Sequence, residues 1–161
     1  MRAIEVLPAS SWAKETAIDR VRLTFDERNR RRLRYVALGG TEFVLDLPRA
    51  TVMHDGDGLK LENGQIIAVE AAPETLAEVT APDLHTLLRL AWHIGNRHLP
   101  AELQPSRILI RDDHVIVHML QGLGATVRRL EATFTPEPGA YSGAAGHPVF
   151  AQGHGSHHHV E

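Results

Sequence analysis

Cysteine is absent from the chain. Its absence removes disulfides, thiolate metal sites, iron–sulfur clusters and cysteine nucleophiles in one step. Long hydrophobic runs are absent too. The longest, such as Tyr35 to Leu38 and Ile66 to Val69, have four residues, against roughly 20 for a spanning helix. The opening Met1-Arg-Ala-Ile-Glu-Val-Leu-Pro8 lacks the apolar stretch of a secretion signal, so a cytoplasmic protein with no membrane partner is expected. No charge sign dominates: Lys plus Arg is 17, Asp plus Glu is 20, and the net charge is -3. Such a chain has no global field for nucleic acid. The run of Arg28, Arg30, Arg31, Arg32 and Arg34 reads as a turn and a solvated strand face balanced by Asp26 and Glu27. It lacks the interleaved aromatics of a stacking surface, so no nucleic-acid partner is expected. Catalytic signatures are missing as well, with no Gly-rich phosphate loop, no H-E-x-x-H and no G-x-S-x-G, and the chain does not read as an enzyme.

What is present is an ordinary globular composition of 161 residues, 43% apolar and 23% charged, together with 11 histidines. That length is enough to bury a core. Only His54 precedes residue 80; His85, His93, His98, His114 and His118 fall in the middle; His147, His154, His157, His158 and His159 crowd the end. The end is poor in apolar residues and reads as a flexible His-rich tail. Interruption by Gly, Ser and Gln favours a native tail over a purification tag.

The patterning gives an α+β chain: a small all-β domain over residues 1–72, a mixed domain over 76–140 and a disordered tail over 141–161. In the first, Ala17 to Phe25, Arg32 to Val36 and Thr41 to Leu47 alternate as strands, the last stopping at Pro48. Asp26 to Asn29 reads as a turn, and Asn63-Gly64 is a strong hairpin signal. Ala71 to Thr75 reads as a linker and Leu76 to Thr80 as an extended strand. Pro82 and Asp83 then open a helix whose apolar stripe is Leu84, Leu87, Leu88, Ala91 and Trp92, stopped by Gly95-Asn96. Arg107 to Ile110 is a strand. Asp112 or Asp113 caps a second helix, although His114 to His118 also alternates as a strand does. Thr126 to Phe134 is the last strand. Counting Ala101 to Gln104 as a short strand, the order is β-α-β-β-α-β, that of a ferredoxin-like domain.

Histidine nitrogen suits nickel, copper and zinc. His114 and His118 stand four apart, a chelating spacing on a helix. His98 follows a helix stop and precedes Leu99-Pro100, so it projects from an exposed loop. One such residue becomes a site when a two-fold axis brings its copy opposite.

At these residues the chain becomes recognisable. Gly95-Asn-Arg-His-Leu-Pro100 resembles the GNRH-x-P signature of the urease accessory nickel chaperones, the UreE family. His54-Asp-Gly-Asp-Gly58 with Asn63-Gly64 resembles the family's N-terminal turn and hairpin. Asp113-His-Val-Ile116 is similar to its D-H-V-L segment, and Leu123-Gly124 with Pro136-Glu-Pro-Gly-Ala-Tyr141 to its late motifs. The resemblance implies an N-terminal domain that docks partners, a ferredoxin-like metal domain and a homodimer joined through the C-terminal domains. It implies that His98 binds nickel at the dimer interface and that His114 matches a further ligand position. The position two residues before that is Asp112 where some members have His. With the tail ligands His147, His154, His157, His158 and His159, these form the candidate metal set. The implied function is nickel donation during urease metallocentre assembly, with the urease apoprotein and its accessory GTPase as partners. A buffer or sensor for nickel, zinc or copper, unconnected to urease, is the alternative.

Overall fold

The computed structural model describes residues 1–139. Tyr141 and the five terminal histidines proposed as ligands lie outside the described residues.

The first sheet has β1 (Arg2–Leu7), β2 (Ala17–Leu23), β3 (Asn29–Val36), β4 (Glu42–Val52), β5 (Gly58–Leu61) and β6 (Ile66–Ala71), in the order β2-β6-β5-β1-β4-β3. β1 is parallel to β4 and β2 to β6; the other neighbours are antiparallel. Alternation makes one face apolar. Val21, Leu23, Phe43, Leu45, Leu59, Leu61, Ile67 and Val69 are all buried on it with Ala3. The hairpin at Asn63-Gly64 forms as read: Gly64 takes φ 89°, and Leu61 N–H donates to Gln65 O.

Three features of this half differ from the sequence reading. The segment Asp26 to Asn29 is not a plain turn. Phe25–Arg28 is a single helical turn, α1, closed by a reciprocal cap between Thr24 and Glu27. Pro48 does not stop the strand. β4 runs past it because residues 47–50 bulge opposite Arg31 alone, which takes Pro48 and its missing N–H out of the ladder. β1 carries no clean alternation, yet it lies between β5 and β4 in mid-sheet.

The second sheet has β7 (Pro73–Thr80), β8 (Glu102–Gln104), β9 (Arg107–Arg111) and β10 (Thr126–Thr133), in the order β10-β7-β9-β8, antiparallel throughout. β7 begins at Pro73, so residues 71–75 are not a linker. Helix α2 (Leu84–Asn96) connects β7 to β8, and α3 (His114–Gly122) connects β9 to β10. The ambiguous stretch from His114 to His118 is thus helical, capped by Asp113, whose carboxylate accepts from Val115 and Ile116 N–H. Both helices cover one sheet face, where Ala77, Val79, Ile108 and Ile110 pack with Leu87, Leu90, Ile94 and Leu120.

The apolar stripe read on α2 divides in two. Leu87 is buried with Leu90 and Ile94, while Leu84, Leu88 and Trp92 are 64%, 59% and 64% exposed. Apolar residues run most of the way round this helix, so period alone does not say which arc meets the sheet.

The other face of the second sheet meets the first sheet's end. Leu76, Leu109 and Phe134 form a small core with Phe25 packed on it. Arg28, read from the sequence as solvated, is wholly buried there. Its guanidinium donates to Leu23 O, Met53 O and Phe134 O, joining the two sheets through three carbonyls. Burial pushes its pKa down, and the carboxylates of Glu74 and Asp55 pull it back. Arg111 adds an ion pair to Asp26 at 2.9 Å, and Phe25 N–H donates to Glu74.

Candidate metal centre

His98 is placed by the end of α2. Its N–H donates to Gly95 O at 3.0 Å, and Leu99 N–H reaches back to Ile94 O at 3.4 Å. That pair of bonds is a Schellman motif, in which the residue past the cap turns left-handed. His98 has φ 58° and is the one non-glycine residue with positive φ among the described residues. The helix runs through Gly95 and Asn96; the stop is therefore His98 and not Gly95-Asn96. Leu99 packs against the core that holds Ile94, which fixes the turn from inside. The imidazole is left exposed at the end of the helix that carries Leu84, Leu88 and Trp92 outward.

Asp112 is engaged elsewhere. Its carboxylate accepts from Arg129 at 2.9 Å, and its N–H donates to Thr75 O. Ligating a metal there means giving up the arginine. His114 is the first residue of α3 and is exposed, as is His118 one turn on. A hollow of about 220 Å³ is lined by Leu99, Pro100, Asp112 and Asp113, so the loop bearing His98 and the turn before His114 border one cavity. A larger cavity of about 470 Å³ in the first sheet is lined by Trp12, Lys14, Asp19, Arg20, Asp55 and Glu70, with no histidine.

Among the described residues, no three His, Asp or Glu side chains come together as a metal-holding group. Asp112 lines the smaller hollow, but His98 and His114 do not, and the three form no closed cage. The cap geometry of His98 escaped the sequence reading because the left-handed position is ordinarily marked by Gly.

Comparison with known proteins divides the chain into two matched parts. The model of the UreE urease accessory protein N-terminal domain matches residues 2–72, and that of the UreE C-terminal domain matches residues 74–160. The urease accessory protein UreE of Bradyrhizobium sp. (strain BTAi1) is 50% identical over 157 residues, covering 98% of this chain and 74% of that protein. That of Bradyrhizobium sp. (strain ORS 278) is 52% identical over 142 residues, 88% of this chain and 67% of the relative. That of Chelativorans sp. (strain BNC1) is 51% identical over 147 residues, 90% and 92% of the two chains.

Proposed function

The chain belongs to the UreE family of urease accessory proteins, and we propose that it carries nickel and donates it during urease metallocentre assembly. It is an accessory protein and not an enzyme. The observation that carries the nickel reading is His98: an exposed imidazole held in a left-handed turn at the end of an outward apolar stripe. Two copies joined along the exposed Leu84, Leu88 and Trp92 bury that stripe and bring two His98 rings toward one axis. Two imidazoles leave coordination positions open, which suits a carrier that must release its cargo. His114, Asp112 once freed from Arg129, and the tail histidines beyond residue 139 are the further donors in this reading.

The second sheet supports a ferredoxin-like assignment by its element order and antiparallel pairing. The first sheet is the partner-docking part, with the urease apoprotein and its accessory GTPase as the partners. No helix among the described residues is long and apolar enough to cross a membrane, and a cytoplasmic place of action accords with the urease role.

Nickel titration calorimetry with light scattering tests the reading. The intact chain is expected to be a dimer with one tight nickel site per pair. His98→Ala is expected to stay dimeric and lose that site; an unchanged tight site in a folded His98→Ala protein overturns the assignment. Removal of residues 140–161 is expected to lower the number of nickel ions bound and to spare both the dimer and the tight site.

A further inference from the structure

The β3 edge of the first sheet is open. Ala37 N–H donates to Thr41 O, and the register pairs Tyr35 with Phe43 and Leu33 with Leu45 at the same parity. Arg32, Arg34 and Val36 occupy the alternate positions, so their N–H and C=O groups point away from β4. The opposite sheet edge, β2, meets this side through one backbone bond among the described residues, Leu38 N–H to Arg20 O, and forms no ladder with β3. Val36, two residues before that bond, is still 63% exposed.

This edge is also the most basic strand of the molecule. Arg30, Arg31, Arg32 and Arg34 lie along it, and Arg49 stands on the β4 bulge that faces Arg31. All five are exposed. Arg32 is paired with Asp46 and Arg34 with Glu42. Arg30, Arg31 and Arg49 have no carboxylate partner among the described residues. Arg30 Nε is tethered to Asp26 O at 3.2 Å and Arg31 Nε to Leu47 O at 3.1 Å. Each tether uses the inner nitrogen and leaves the terminal amino groups as a fork, the geometry that takes a carboxylate with two bonds. The chain as a whole is net acidic at -3, so the patch is not a general excess of arginine.

We propose that the β3 edge accepts an extended acidic segment of a partner protein as an added strand. The segment's backbone bonds to Arg32, Arg34 and Val36, and its carboxylates meet Arg30, Arg31 and Arg49. Strand addition draws affinity from the main chain and specificity from the side chains. The arginines exclude a second copy of β3, since like charges would stand opposite one another. The exposed side chains of β3 include no aromatic on which bases could stack, because Tyr35 is turned into the core. The inference rests on the reading of the first sheet as the partner-docking part and says which edge docks and what chemistry it reads.

The test is fluorescence anisotropy on the full-length protein with a labelled peptide of alternating Val and Glu, a Val and Lys peptide, and an oligo-dT strand. The Val and Glu peptide is expected to bind best. Reversing Arg30, Arg31 and Arg49 together to Glu is expected to weaken it at least tenfold. Arg34→Pro, which deletes one outward N–H, is expected to weaken it several-fold, whereas Arg34→Ala, which keeps that N–H, changes it less than twofold. Equal binding by Arg34→Pro and Arg34→Ala overturns strand addition. Preference for oligo-dT, or no binding of the acidic peptide by the wild type, overturns the partner class. Nickel stoichiometry is read in parallel and is expected to be the same in all variants. A wild-type chain that binds the peptide but no nickel overturns the carrier role and leaves the docking edge standing.

Discussion

Helices α2 and α3 follow the same rules at both ends until one residue parts them. Each starts on an aspartate: Asp83 accepts from Thr86 N–H, and Asp113 from Val115 and Ile116 N–H. Each ends on the same pair of backbone bonds, His98 to Gly95 O with Leu99 to Ile94 O in α2, Gly124 to Gln121 O with Ala125 to Leu120 O in α3. In both, the residue between must turn left-handed. In α3 it is Gly124, at φ 103°; in α2 it is His98, at φ 58°. Glycine takes this conformation freely, while an L side chain there costs about 1–2 kcal/mol. The α3 end is therefore what helix physics alone selects. The α2 end keeps a side chain against that preference, and backbone strain of this kind collects where a side chain has work to do.

The strongest way to break the comparison is to make the two ends alike. His98→Gly is expected to lower nickel affinity by more than the roughly 100-fold that loss of a mere supporting partner brings. The same variant is expected to be more stable in urea by up to about 1 kcal/mol, after the greater freedom of glycine in the unfolded chain is subtracted. A His98→Gly protein that is less stable than wild type would mean the left-handed turn stores no strain. The reverse swap, Gly124→His, is expected to cost about 1–2 kcal/mol and to create no nickel site. A Cβ at residue 124 meets nothing nearer than Thr86 Cγ2 at 3.6 Å, an ordinary contact, so the loss is a backbone effect.

The helix starts give a smaller effect with a pH signature. The Thr86 backbone N–H, then its hydroxyl, hold the Asp83 carboxyl below its ordinary range. A carboxyl lowered by folding stabilises the native state above its unfolded value of about 3.9 and stops doing so as pH falls through its folded value. Asp83→Ala is therefore expected to lower the urea midpoint at pH 7 and to match wild type once the medium is acid enough to protonate the cap. A gap that persists unchanged into strong acid would show that the carboxylate is not what caps α2. The smallest effect sharpens the comparison most. Asn tolerates the left-handed region, so His98→Asn is expected to raise stability slightly, by less than about 0.5 kcal/mol, while losing the tight nickel site. That result separates the ring's ligation from the turn's geometry.

Legibility in the sequence followed the range of the interaction that decided each feature. The hairpin at Asn63-Gly64 was readable because two adjacent residues set its turn. The order of elements from β7 to β10 was readable from periods and breakers, apart from where β7 begins. The burial of Arg28 was not, because its deciding partner is the carbonyl of Phe134, 106 residues away. Nor was the division of the α2 stripe, since Leu84, Leu87, Leu88, Leu90, Ala91, Trp92 and Ile94 leave the sheet-facing arc to tertiary packing. For the candidate site, GNRH picked out His98, but a left-handed histidine has no local signature. Asp112 carried no mark of its ion pair with Arg129, which only the return of β10 brings alongside. The tail histidines stay an expectation drawn from composition and resemblance.

The Arg28 junction has a consequence for spacing. One residue, Ala72, separates β6 from β7, and the buried guanidinium, the Phe25–Phe134 ring contact and the Arg111–Asp26 pair all brace that joint. The two sheets then act as one stiff arm. In the proposed pair of chains joined along α2, the distance between the two β3 edges would be set by the fold and not by a linker. Such a pair is a ruler. A partner offering two acidic strands at that interval gains from the second contact at high effective concentration, and one with the wrong interval gains nothing from it.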